Sequence, residues 1–184
     1  MTAELNPRTS PRYPADFYGF PAIPFHVHLG MTFERPDPDG PAVLTVPARP
    51  EIVDAHGLQS PAAVYTVAEV SCGVAAADAL LLHQTMGGSE TTALVLTRRI
   101  KFWRKGPARG AIHSDTWVAG DADAALERLL RVRKVDVETW SHVYDEHGAL
   151  ACEMQAFFYA RLMHRDRLRA MAGPLLASMD GGAS

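Results

Sequence analysis

Residues 54–79 read DAHGLQSPAAVYTVAEVSCGVAAADA, and the reading of this stretch decides the arrangement of the whole chain. Ser60 is a good helix N-cap, because its side-chain oxygen can accept from an otherwise unpaired amide in the first turn. Pro61 follows at the first helical position, where a missing N–H costs nothing and a fixed φ suits the helix. From Ala62 onward Ala, Val, Tyr, Thr, Cys and Gly cover nearly every face, and a helix that is apolar all round is a buried one. The pattern predicts a helix over residues 61–83. Through Ala77 a single charge interrupts it, Glu69. The helical neighbours of Glu69 are Tyr65, Thr66, Cys72 and Gly73, none of them basic. A buried carboxylate is expensive unless it is paired or shares a proton. Glu69 is therefore either a working group, a general base or nucleophile, or the partner of a basic side chain brought in by another strand.

The remaining chain supplies strands around that helix. Residues 21–30 read as an approach segment or helical turn, and residues 29–34 as a first strand. Residues 36–41, PDPDGP, carry turn chemistry, and residues 42–48 alternate as a second strand completing a hairpin. Gly87-Gly88 closes the connection after the helix. Residues 91–103, TTALVLTRRIKFW, form the strongest strand, β-branched and apolar. Residues 109–119 are a further strand, and residues 122–132 a short helix with Leu126, Leu129 and Leu130 on one side. Residues 134–145 and 149–162 are the last two strands, joined by a turn at Asp145-Glu-His-Gly148. Two strands, one long helix and four strands in a meander make an α+β domain. The expected organisation is an extension over residues 1–20 whose Tyr13, Phe17, Tyr18 and Phe20 pack on the body, one domain over 21–164, and a basic tail over 165–184.

The order of elements, together with the motif at its centre, resembles the hotdog-fold acyl-thioesterases, and within them the PaaI-like and 4-hydroxybenzoyl-CoA thioesterases. Those families carry a polar residue, two residues, Gly, two residues, His-Gly-Gly, and then a helix bearing the catalytic Asp or Glu. Asp54 stands at the polar position, Gly57 at the Gly, and Glu69, fifteen positions after Asp54, at the catalytic carboxylate. Ser60-Pro61-Ala62 replaces His-Gly-Gly. The middle Gly of that triplet supplies the N–H that polarises the thioester carbonyl, and Pro61 has none. Gly73 stands where a Ser or Thr often follows the acid by one turn. RRIKFWRKGPARG resembles the family's strand-turn-strand and VYDEHGALACEMQAFF its final hairpin, so the resemblance covers about residues 28–162. It implies a hotdog sheet wrapped round one helix and thioester hydrolysis with Glu69 activating water or attacking the carbonyl. It also implies a homodimer or dimer of dimers with the site between subunits. Asp54 would hold a water or assist Glu69; as a loop residue alone it would cap a turn. Tyr65, Thr66, Cys72 and Gly73 would line the pocket, with His56 and Gly57 in the site loop and Ser60, Pro61 and Ala62 at the oxyanion end.

Arg98, Arg99, Lys101, Arg104 and Lys105 form the clearest basic cluster. Such groups hold phosphates by charge and forked hydrogen bonds, and the resemblance assigns them to coenzyme A; acidic acyl-carrier protein suits the same charge. A solvated edge strand carries Lys and Arg equally well. His26-Val-His28 puts two imidazoles on one face if the segment is a strand, without a third ligand for a metal, so no metal site is expected. Cys72 lacks a neighbouring base for nucleophilic work. There is no GxSxG, HExxH or nucleotide fingerprint.

Of 184 residues 47% are hydrophobic and 21% charged, ordinary for a globular domain. A net charge of −3 gives no basic character for nucleic acid. No run reaches the ~20 apolar residues of a membrane span, and the N-terminus has no apolar signal core. Two cysteines, one in the helix and one in a strand, read as reduced core residues. A cytoplasmic protein is expected, acting on an acyl thioester with no cofactor beyond substrate coenzyme A, and with neither nucleic acid nor membrane as partner. A non-hydrolytic thioester-binding protein is the rival that Ser60 and Pro61 favour. Another hotdog reaction, dehydration of a β-hydroxyacyl thioester, needs a His beside the acid, and His56 is the candidate.

Overall fold

Ser60 and Pro61 start the long helix as their chemistry requires. Ser60 is extended (φ −60°, ψ 142°), its Oγ accepts from Ala63 N–H at 3.1 Å, and Pro61 opens the first turn. In the computed structural model, which describes residues 24–34, 42–82, 91–164, 166, 167 and 170, the elements are a helix α1 (Pro24–Leu29), strands β1 (Thr32–Glu34) and β2 (Val43–Val46), and α2 (Pro61–Ala79). They continue with β3 (Thr91–Arg104), β4 (Ile112–Ala119), α3 (Ala122–Val132), β5 (Lys134–Asp145) and β6 (Leu150–His164). The expected N-terminal extension with its four aromatics, the turn over 36–41, Gly87-Gly88 and nearly all of the C-terminal tail lie outside the described residues.

The six strands form one antiparallel sheet in the order β1-β2-β4-β5-β6-β3, and α2 packs against β4, β5, β6 and β2. Alternation sorts the side chains. Val135, Val137, Thr139, Ser141 and Val143 of β5, with Cys152, Met154, Ala156, Phe158 and Ala160 of β6, are buried under the helix. The opposite face carries Trp103, Trp117 and Trp140, stacked at centroid distances of 5.9 and 6.4 Å. The last four strands are not a simple meander. β4, β5 and β6 follow one another, but β3 crosses to the far edge and pairs with β6, so 91–103 and 109–119 are not neighbours.

Other expectations change locally. α2 ends at Ala79 rather than His83: Leu80 N–H still reaches Ala76 O at 3.2 Å, but Leu81 turns left-handed (φ 45°) and sends Leu80 and Leu82 into the core. Leu130 is 55% exposed while Leu129 carries the buried side of α3. His26 and His28 lie on helix α1, not on a strand. Two positions apart on a helix are separated by about 200°, so the two rings do not share a face. α2, with 19 residues, is long and apolar enough by length and composition to cross a membrane, contrary to the sequence expectation, yet it lies packed on this sheet.

What orients α2 is a buried row of hydroxyls. Ser71 Oγ donates to Ala68 O (3.0 Å) and lies 2.9 Å from Ser141 Oγ, which accepts from Thr116 Oγ1 at 3.2 Å. A satisfied polar contact in an apolar interface fixes a unique arrangement. It turns Ser71 and Cys72 to the sheet and leaves a half-exposed stripe of Tyr65, Glu69 and Gly73, with Ala62 exposed above them.

Candidate functional site

The loop before α2 is held by its own backbone. Asp54 Oδ1 accepts from His56 N–H (2.8 Å) and Leu58 N–H (2.9 Å), and Gly57 N–H closes on Asp54 O (2.9 Å). Gly57 sits at φ 72°, a left-handed position that glycine takes without strain. The amides of Leu58 and His56 hold the Asp54 carboxyl below its ordinary range against a smaller desolvation effect, with the charges of His56 and Arg109 adding to them. Oδ1 thus caps the turn, and Oδ2 has no partner among the described residues. The His56 ring is exposed, and its carbonyl accepts from Arg109 Nη1 at 3.4 Å.

Gln59, which no sequence motif marks, anchors this loop to the body. It is 2% exposed; its Nε2 donates to Pro47 O (3.1 Å) and Gly110 O (2.8 Å), and its N–H to Ala108 O (2.8 Å). A polar residue directly before the cap was the available signal, but its anchors lie 12 and 51 positions away.

Asp145 fastens the same corner from the sheet. Its Oδ1 accepts from His147 N–H (3.0 Å) and Ala149 N–H (2.9 Å), and its Oδ2 from Arg109 N–H (3.2 Å). Desolvation pushes this carboxyl up, but the amides of Ala149, Arg109 and His147 together outweigh it and hold the group below its ordinary value. A depressed folded value stabilises the fold above the unfolded carboxylate range, and that contribution is lost as pH falls through the folded value. Thermal midpoints measured against pH should therefore fall below about pH 4, and less steeply in Asp145→Asn.

A cleft of about 530 Å³ opens at the N-terminus of α2, bordered by Asp54, Gln59, Ser60, Pro61, Ala62 and Arg104. Among the first-turn amides, Ala63 N–H is taken by Ser60 Oγ and Val64 N–H by Ser60 O (3.2 Å), while Ser60's own N–H goes to Ile52 O (3.0 Å). Pro61 offers none. The N–H of Ala62 is left as the unengaged amide among them.

Glu69 lies two turns along α2, half-buried, with no hydrogen bond or ion pair among the described residues. Tyr65, one turn before it, packs on Phe102 of β3 at 5.4 Å; burial first, and the charge of Glu69 second, raise its hydroxyl's pKa. Thr66 and Cys72 are buried toward the core, and burial pushes the Cys72 thiol up to about 12, so it stays protonated. A side-chain carbon added at Gly73 would meet the Phe158 ring at 3.9 Å, an ordinary contact.

The five basic residues of the cluster have separate surroundings. Arg98 pairs with Asp136 (3.0 Å) and Lys105 with Glu153 (2.7 Å). The Arg99 guanidinium lies 4.2 Å over the Phe157 ring, and Lys101 is exposed. Arg104 borders the cleft.

A six-stranded antiparallel sheet with a long helix packed against it, entered through a capped polar loop, is the hotdog fold. Solved structures agree. A Pseudomonas aeruginosa protein of unknown function described as a probable thioesterase matches with TM-score 0.59 and 21% identity over 77% of this chain and 89% of that one. A thioesterase family protein from Silicibacter pomeroyi matches at 0.57 and 20%, over 79% and 95%. A point mutant of the phenylacetic acid degradation protein PaaI from Thermus thermophilus matches at 0.50 and 16%, over 74% and 97%. At these identities the likeness establishes the fold. No protein-family model and no curated protein matches the sequence.

Proposed function

We propose that this chain hydrolyses an acyl thioester, carried on coenzyme A or on acyl-carrier protein, in a pocket that a second copy completes. The observation carrying the reading is Glu69, whose carboxylate has no hydrogen-bond or ion-pair partner among the described residues, on the half-exposed stripe of a mostly apolar helix, in a fold shared with thioesterases. In the proposed reaction a water attacks the carbonyl carbon while Glu69 takes its proton. The carbonyl oxygen gains charge near the N-terminus of α2, where the helix dipole and the Ala62 N–H favour it. The tetrahedral carbon then expels the thiolate, which recovers the proton, leaving a free acid and a thiol. Asp54 Oδ2 and the Ser60 hydroxyl are the nearby groups for holding water. Arg104 is the basic residue best placed for a phosphate, with Arg98, Arg99, Lys101 and Lys105 farther out. Coenzyme A enters as substrate, and no separate cofactor is invoked. The free, buried thiols of Cys72 and Cys152 support a reducing, cytoplasmic setting.

The deciding experiment is thiol release from short, long and aromatic acyl-CoAs, with Glu69→Ala as control. Release that Glu69→Ala abolishes supports the reading. Binding without release would favour a non-hydrolytic thioester-binding protein, the rival that Pro61 motivates, and hydration of an enoyl-CoA would identify a hydratase. Burial of the Tyr65–Gly73 stripe requires a partner, so sedimentation at micromolar concentration should show a dimer or larger species. A stable monomer would remove the shared pocket.

A further inference from the structure

The chain carries a net charge of −3, yet one corner of the sheet is strongly basic. Lys134, the first residue of β5, stands directly opposite Arg161 of β6. Arg133 just before it has left-handed backbone (φ 59°), uncommon for a residue with a side chain, and its carbonyl accepts from Leu162 N–H at 2.9 Å. With Arg167, these residues line a cleft of about 480 Å³. Among the described residues none of the four has an ion pair. Of the acids nearest on these strands, Asp136 pairs with Arg98 (3.0 Å) and Glu138 accepts from Trp140 Nε1 (2.8 Å) and Gln155 Nε2 (2.6 Å). Asp166, beside Arg167, lies 3.5 Å from His164, which also lines the cleft, so one carboxylate stands at its rim against the four cations.

Like charges directly opposite in an antiparallel pair are destabilising. Protection of a sheet edge does not account for them, because β5 and β6 are interior strands. An anion seated between them would turn the repulsion into binding energy. We propose that this cleft is a phosphate-binding site, with Lys134 and Arg161 as its principal charge partners and Arg133 and Arg167 at its rim. Guanidinium forks suit a phosphate's oxygens, and two or more negative charges fit four cations better than a lone carboxylate would. The cleft is separate from the one at the start of α2. That one adjoins the corner fastened by Asp145, at the other end of β5, roughly 36 Å away at the usual strand rise. Anion binding at this corner does not depend on thioester hydrolysis.

The test uses the full chain at low ionic strength, with inorganic diphosphate, adenosine 3′,5′-bisphosphate and coenzyme A titrated separately by calorimetry. Saturable binding that weakens with salt is expected. Diphosphate binding tightest would point to a free anion, whereas tighter binding of the other two would point to a nucleotide's phosphates. Lys134→Gln and Arg161→Gln should each weaken binding about 10-fold, the scale of one charged hydrogen bond. Lys134→Arg should retain it, and Arg128→Gln, exposed on α3 outside the cleft, should leave it unchanged. Thermal melts give a second readout with opposite signs. Without ligand, Lys134→Gln should melt higher than the native chain, because the repulsion is gone. With saturating diphosphate, the native chain should gain more than the variant. No saturable binding of any of the three, binding that both neutral variants leave intact, or retention of heparin alone would overturn the proposal.

Discussion

Glu69→Gln lowers kcat for thioester hydrolysis at least about 100-fold, the scale of a lost acid–base group, while leaving the thermal midpoint nearly unchanged. The two halves of this expectation belong together. Glutamine keeps the shape of the side chain but cannot accept a proton from water. Glu69 makes no hydrogen bond or ion pair among the described residues and is only half-buried, so its replacement breaks no structural contact there. Substitutions of that kind usually change stability by no more than about 0.5 kcal/mol. A fall in kcat with an unchanged melt therefore reports chemistry. Equal turnover in the folded variant would remove Glu69 from the mechanism, and loss of both activity and fold would make it a structural acid.

Pro61→Gly raises hydrolysis about 10-fold, less than the full value of an oxyanion donor because the new amide aims imperfectly. An amide directed at the developing oxyanion is worth roughly 2.7–4 kcal/mol, or about 10²–10³ in rate, in a well-studied hydrolase. Three of the amides nearest the start of α2 are already committed: Ser60 N–H to Ile52 O, Ala63 N–H to Ser60 Oγ and Val64 N–H to Ser60 O. Ala62 N–H alone is unengaged among them, one position past the proline. Glycine at 61 adds a second. The same change should lower the thermal midpoint slightly, since glycine frees the unfolded chain relative to proline by about 0.4–1 kcal/mol. Efficient native hydrolysis that Pro61→Gly leaves unaltered would mean the oxyanion is held elsewhere. A bound thioester with its carbonyl turned away from Ser60–Ala62 would mean the same.

Features written within a few residues are legible in the chain itself. Ser60 caps α2 through an amide three positions on, Asp121 caps α3 through Ala124 N–H at 3.0 Å, and both helices begin where those residues demand. Alternation locates β5 at its observed bounds because each of its side chains reports its own face. At residues 24–29 the helical turn read within 21–30 is present as α1, and only the pairing of His26 with His28 on one strand face fails. There Gly30 in left-handed geometry closes a short helix, with Gly30 N–H on Val27 O (3.0 Å) and Met31 N–H on His26 O (3.1 Å).

The strand order and the site's orientation needed contacts between distant residues. β3 and β6 pair across some sixty positions, and nothing in either strand names its partner, because backbone hydrogen bonds are the same for any two extended segments. Gln59 is anchored by carbonyls of Pro47 and Gly110, so its importance has no local pattern. The motif spacing singled out Glu69, but a helix that is apolar nearly all round does not say which stripe faces the sheet. That choice rests on Ser71 meeting Ser141, seventy positions away, at 2.9 Å in a buried interface where an unpaired hydroxyl would be costly. Sequence alone determined that α2 is largely buried and that Glu69 is its one charge before Asp78 in the last turn; the tertiary contact decided that Glu69 looks outward.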